Sequence, residues 1–168
     1  MKGYAGSKTE VSIRDLWQTP KFIFDYYNRR FDLRMDVASS EENKLCDLNL
    51  TIEDDALTCN WSTWGNWCNP PYSNIMPWVD KAVKEMERGC LTVMLIPADT
   101  SVKWFKKAFE NCSECHFISG RLAFINAETQ KPVSGNNKGS VVFVFDPKSP
   151  FKSQVVLIDR EEMKVQNG

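Results

Sequence analysis

Apolar residues change their spacing several times along the chain, and each change marks an element. Phe22, Ile23, Tyr26 and Tyr27 recur at helical spacing behind Thr19-Pro20, where a threonine can cap and a proline fits the first helical position. A helix over about 20–30 is predicted. Phe31, Leu33, Met35 and Val37 then alternate with polar residues, the period of a strand that ends near Asp36. Residues 40–60 are polar and acidic and predict only a short helix and a turn. A short strand over 65–68 runs straight into Asn69-Pro70-Pro71-Tyr72. Trp78, Val79, Ala82, Val83 and Met86 then mark one face of a helix that Gly89 can end, and the apolar run at 90–97 suits a strand covered on both faces. Thr100 can cap a further helix carrying Val102, Phe105, Ala108 and Phe109. CHFIS, RLAFIN, SVVFVFD and QVVLID read as strands, two of them separated by a polar insert at 126–139. The succession predicts an α/β fold: an open, mostly parallel, Rossmann-like sheet with an antiparallel edge.

With 168 residues, 42% hydrophobic and 26% charged, the chain suits one domain with a substantial core. We expect that domain over 17–168, behind a flexible arm at 1–16 that contains Gly3 and Gly6. No apolar run is long enough for a bilayer span, and the N-terminus lacks the apolar segment of a secretory signal, so no membrane partner and a cytoplasmic location are expected. The six cysteines are then expected as thiols. Cys112-Ser113-Glu114-Cys115-His116 spells a haem-attachment pattern, but that chemistry normally needs export, and zinc would need two further ligands; packing at a helix end and strand start is the preferred reading, with no metal. Trp61, Trp64, Trp67, Trp78 and Trp104 are read mainly as core. A net charge of −1 means that any nucleic-acid partner needs a local basic patch. The one that can be assembled joins Lys103, Lys106 and Lys107, on the polar face of their helix, to Arg121, Lys131 and Lys138.

An open sheet of this kind binds ligands beyond the carboxyl ends of its strands, where Asp36 and Asn69 are both expected. The Asn69 side-chain oxygen and the Pro70 carbonyl are acceptors, and two stiff prolines can aim both at one spot, so that they accept both protons of one amino group. The exocyclic amine of adenine is a poor nucleophile because its lone pair is delocalised into the ring. Holding both its hydrogens biases the nitrogen towards tetrahedral geometry and leaves the lone pair free to attack a methyl sulfonium. No general base is required, and the gain comes from positioning and aimed dipoles. Tyr72 can stack on the base once it has left the duplex.

NPPY resembles the catalytic motif of amino-methyltransferases that use S-adenosylmethionine. The wider chain resembles the compact phage-type DNA N6-adenine methyltransferase family through WQTP at 17–20, FDLRMDVASSEEN at 31–43, EDDAL at 53–57, CNPPYSNIMPW at 68–78, LIPADTSVKWF at 95–105, GRLAFI at 120–125 and GNNKGS at 135–140. That resemblance implies a class I methyltransferase fold acting on double-stranded DNA, in the host cytoplasm if the protein is phage-encoded. Asn69, Pro70, Pro71 and Tyr72 match the target-amine motif. Thr19 and Pro20 resemble the element that holds the methionine part of the cofactor, Asp36 and Ala38 stand in its first cofactor loop, and Asp55, Ala56 and Leu57 look like the element that reads the cofactor's adenine. The loop Asp36-Val37-Ala38-Ser39-Ser40 lacks the usual glycines, and no separate target-recognition domain is present. Two alternatives stay open, a protein-glutamine methyltransferase and a non-catalytic nucleic-acid-binding or decoy protein. Oligomeric state and target sequence are left undetermined.

Overall fold

The computed structural model describes residues 17–133 and 137–165, and the arm expected at 1–16 lies outside them. In chain order the elements are β1 (Trp17–Gln18), α1 (Lys21–Phe31), β2 (Leu33–Asp36), β3 (Leu48–Asn49), β4 (Gly65–Cys68), α2 (Met76–Glu87), β5 (Leu91–Pro97), α3 (Lys103–Asn111), β6 (Glu114–Ser119), β7 (Ile125–Asn126), β8 (Ser140–Phe145), β9 (Gln154–Asp159) and α4 (Arg160–Val165). Seven strands form one sheet in the order β3-β2-β4-β5-β8-β6-β9, and β1 pairs with β7 in a separate antiparallel ribbon. The sheet is parallel except at β8, which runs against both β5 and β6.

The expected α/β fold with a mostly parallel sheet is thus present, with its antiparallel strand inside rather than at the edge. The reason lies in burial. All six residues of β8 are buried, which requires neighbours on both edges and cover on both faces, whereas Gln154, Val155, Leu157 and Asp159 of the border strand β9 are exposed. Successive residues of β6 separate the two layers of helices, since His116 stacks on Tyr27 of α1 while Phe117 stacks on Phe105 of α3. Helices α1 and α4 touch each other on one face, and α2 and α3 touch each other on the other.

Three local expectations change. No helix forms among the described residues of 40–60; the segment instead makes the two-residue strand β3 and turns in which side chains bind backbone, as Asn43 Oδ1 accepts the Ser40 N–H at 2.7 Å and Asp54 Oδ2 accepts the Thr51 N–H at 2.7 Å. Only Ile125 and Asn126 of RLAFIN are strand. Neither threonine caps its helix, because the N-cap residues are Pro20 and Val102, both without a side-chain cap bond. Gly89 does end α2, at φ +91°, with the Cys90 N–H reaching back to the Glu85 carbonyl at 2.8 Å.

The candidate active site at the carboxyl ends of β2 and β4

Strand β2 lies beside β4 in the sheet, yet the chain leaving β2 passes outward to β3 while the chain leaving β4 passes the opposite way, through α2 to β5. Connections that diverge in this manner open a crevice at the strands' carboxyl ends. Asp36 closes β2 opposite Trp67 of β4, and Asn69 follows directly after β4. Gly65 makes this close approach possible at the other end of β4, where a Cβ would stand 3.0 Å from the Phe31 carbonyl oxygen and 3.0 Å from Leu33.

Within the crevice the motif is stiff and mostly covered. Pro70 is buried, Asn69 and Pro71 are half-buried, and the side-chain oxygen of Asn69 is buried without a hydrogen-bond partner. Tyr72 is 8% exposed, with its hydroxyl only 3.5 Å from the Leu95 carbonyl, and burial pushes its phenol well above the ordinary value. The Thr19 hydroxyl is a second buried oxygen lacking a partner, on a residue 7% exposed that directly follows β1. Pro20 beside it is buried. A native fold rarely leaves such oxygens unsatisfied, so both are open to a polar ligand.

Asp36 has a different task. Its Oδ1 accepts the Ala38 N–H at 3.3 Å and its Oδ2 the Leu45 N–H at 3.1 Å, so the carboxylate ties down the loop that follows β2. Burial raises its pKa to about 6, against the pull of those two N–H bonds. The backbone N–H groups of the glycine-free loop are engaged internally as well: Val37 with the Trp67 carbonyl, Ala38 with Asp36, Ser39 with the Leu50 carbonyl and Ser40 with Asn43. Asp55 is exposed at φ +52°, Ala56 is buried and Leu57 half-buried. The Ala56 carbonyl accepts the Trp61 indole N–H at 2.8 Å, and Trp61 in turn touches Trp78, Glu85 and Arg88 of α2. With the N–H groups of the glycine-free loop engaged, a polar ligand in this crevice meets side chains rather than a glycine loop, the unpartnered Thr19 hydroxyl among them.

The proposed basic patch divides in two. Arg121 lies near Gly139, where a Cβ would sit 3.5 Å from its Nη1, and the Gly139 carbonyl accepts the Ala98 N–H at 2.9 Å, so Arg121 and Lys138 flank the carboxyl end of β5. Lys103 is exposed at the start of α3, and Lys131 is exposed in the segment following β7. Lys107 forms an ion pair with Asp80 of α2, and Lys106 lies 3.7 Å from Glu110, which makes these two weaker candidates for phosphate contact than Lys103 and Lys131.

Among the described residues no group of three or more His, Cys, Asp and Glu gathers as a metal site, and Cys112 and Cys115 are buried free thiols. His116 accepts from the Tyr27 hydroxyl at Nδ1, 3.0 Å, and donates from Nε2 to Glu114 at 3.1 Å, while Arg30 clasps Glu114 at 2.9 and 2.6 Å. Burial holds the imidazole pKa below its usual value and keeps it neutral. A cavity of about 270 Å³ lined by Tyr26, Tyr27, Arg29, Arg30 and His116 lies beside this network, along the amino-terminal half of β6 and away from NPPY. Trp61 and Trp67 are core, as read from sequence, whereas Trp64 is 68% exposed.

Two residues of the site carry no chemical signal in the sequence. Phe124 stands edge-to-face with Tyr72 at 5.9 Å and 87°, and Trp17 stacks on Phe124 at 5.5 Å and 19°. Both fall inside the resembling blocks WQTP and GRLAFI, which was the signal available. Comparison with known proteins gives a consistent picture. Residues 6–168 match the family model described as DNA N-6-adenine-methyltransferase (Dam). The chain is 41% identical to the DNA N-6-adenine-methyltransferase of Escherichia phage T1, over 84% of this chain and 66% of that one. It is 37% identical to the protein of the same description from Haemophilus phage HP1 (strain HP1c1), over 88% of this chain and 87% of that one. It therefore spans slightly less than two thirds of the T1 relative's length.

Proposed function

Because the chain belongs to the DNA N-6-adenine-methyltransferase (Dam) family, we propose that it methylates the N6 amine of an adenine in double-stranded DNA, using S-adenosylmethionine as donor. The observation that carries the reading is the buried, unpartnered oxygen of Asn69 at the divergence of β2 and β4. Asn69 Oδ1 and the Pro70 carbonyl accept the two amine hydrogens, and the lone pair is left directed at the reacting carbon. S-adenosylmethionine supplies an electrophilic methyl group on a sulfonium. Thr19 and Pro20 hold its methionine end, Asp36 and Ala38 shape the wall beside its sugar, and Asp55, Ala56 and Leu57 receive its base. Tyr72 offers a ring to the adenine, which must leave the stack to be reached. No residue removes a proton before attack; the chain's one histidine is neutral and tied to Tyr27 and Glu114.

Lys103, Arg121, Lys131 and Lys138 hold phosphates around this mouth, with Lys106 and Lys107 joining once released from their acids. The reaction is carried by one catalytic domain over 17–168, working in the cytoplasm of the host if the protein is phage-encoded. Among the described residues no helix is long and apolar enough to cross a membrane. Incubation with methyl-labelled donor and unmethylated duplex DNA, followed by nucleoside analysis, tests the reading. Label is expected in N6-methyladenine. Label in protein glutamine, or donor binding without any transfer, would replace it with one of the two alternatives.

A further inference from the structure

The plane of the Tyr72 ring is not set by its own motif. Its hydroxyl contact at 3.5 Å is weak, and the torsion between Cβ and a planar ring is broad, so neighbouring side chains must fix the ring. We propose that Phe124, backed by Trp17, is a positioning residue for methyl transfer, holding the Tyr72 ring in the plane on which an extruded adenine stacks. The inference rests on the adenine-methylation reading above.

Three observations support it. Phe124 is 1% exposed, and its ring meets Tyr72 edge-to-face, the arrangement that ring quadrupoles favour and that resists rotation of either partner. Trp17 covers Phe124 in a stacked arrangement 5.5 Å away, which completes an aromatic layer from Trp17 through Phe124 to Tyr72. The backbones behind this layer are also fixed, with Trp17 opposite Asn126, Gln18 opposite Ile125, and the Val133 N–H bonded to the Phe124 carbonyl at 2.6 Å. A two-stranded ribbon of four residues has little stability of its own, so the stacking of Trp17 on Phe124 and of Phe124 against Tyr72 helps to seat it. Thr19, with its unpartnered hydroxyl, stands one residue beyond β1, so a single ribbon serves both the donor side and the base side of the site.

The test uses the full chain carrying Phe124→Leu or Trp17→Leu, on duplex DNA with 2-aminopurine at a mapped target adenine. In Phe124→Leu the single-turnover transfer rate should fall roughly three- to tenfold, the worth of one edge-to-face contact, while donor and DNA affinities stay within about twofold. In the saturated complex the 2-aminopurine lifetimes should shift towards the long, unstacked component, which a merely structural role would leave unchanged. Trp17→Leu should move both readouts in the same direction by less, and it decides the matter alone if Phe124→Leu does not fold. A wild-type rate with unchanged lifetimes, or a loss confined to donor or DNA affinity, overturns the proposal. Absence of transfer by the unmodified chain would instead sink the adenine-methylation reading itself.

Discussion

Asn69 keeps a buried side-chain oxygen without a partner, a state that costs roughly 1–3 kcal/mol. Asn69→Ala should therefore melt no earlier than the unmodified chain and yet lose transfer by on the order of 10²-fold, because an aimed acceptor is gone. A variant that retains more than about a tenth of the single-turnover rate would remove Asn69 from its assigned role. Asp36 permits a test by pH. Its pKa in the folded chain, about 6, lies above the ordinary 3.8, so between those values the folded state holds the proton more tightly and this group's contribution to stability declines as pH rises. Asp36→Asn cannot titrate, so its melting temperature should gain on the unmodified chain from pH 4 to pH 6, and a constant difference across that interval would contradict the assignment. For Tyr72, the Phe variant loses only a 3.5 Å hydroxyl contact and should be mild. The Ala variant loses a stacking face worth about 1–3 kcal/mol, and its catalytic efficiency on duplex DNA should fall by roughly one to two orders of magnitude.

At the scale of elements, the site depends on how closely β4 approaches β2. A methyl group at position 65 would stand 3.0 Å from the Phe31 carbonyl oxygen and 3.1 Å from that of Asp32, and backbone there has little freedom to withdraw. Gly65→Ala should accordingly cost about 1–3 kcal/mol of stability, read as a lower denaturant midpoint, and should slow methyl transfer by moving the strand that leads into Asn69. An unchanged midpoint would mean that β2 and β4 adjust without strain. The element least legible in the sequence was 40–60, since its order comes from side chains binding nearby backbone rather than from a repeating apolar face. β1 was equally hidden, because two residues cannot display a period and Trp17–Gln18 become a strand only through pairing with Asn126 and Ile125.

Across the whole molecule, the adenine-methylation reading combined with a net charge of −1 assigns DNA binding to a few cations near the carboxyl ends of the strands. With Lys106 and Lys107 close to Glu110 and Asp80, Arg121, Lys103 and Lys131 are the principal candidates for phosphate contact. A plot of log affinity against log salt should then have a slope of about −3, and Arg121→Ala should flatten it by about one. A slope near zero would place the DNA elsewhere. Lys107→Ala should change that slope little, as the side chain is already neutralised by Asp80.

Periodicity and chemistry alone determined the α/β alternation, the strand that runs into NPPY and the paired acceptors of that motif, because each is a property of neighbouring residues: a repeat of two or of 3.6, and two acceptors stiffened by adjacent prolines. Only the tertiary structure decided which residues meet across the chain. It put β8 inside the sheet, engaged Asp36 with the backbone of Ala38 and Leu45, bound Lys107 to Asp80, and laid Phe124 against Tyr72 from more than fifty residues away. Contacts of that kind arise from the path of the chain through space, and an aromatic ring in an apolar stretch looks the same in sequence whether it fills a core or aligns a catalytic tyrosine.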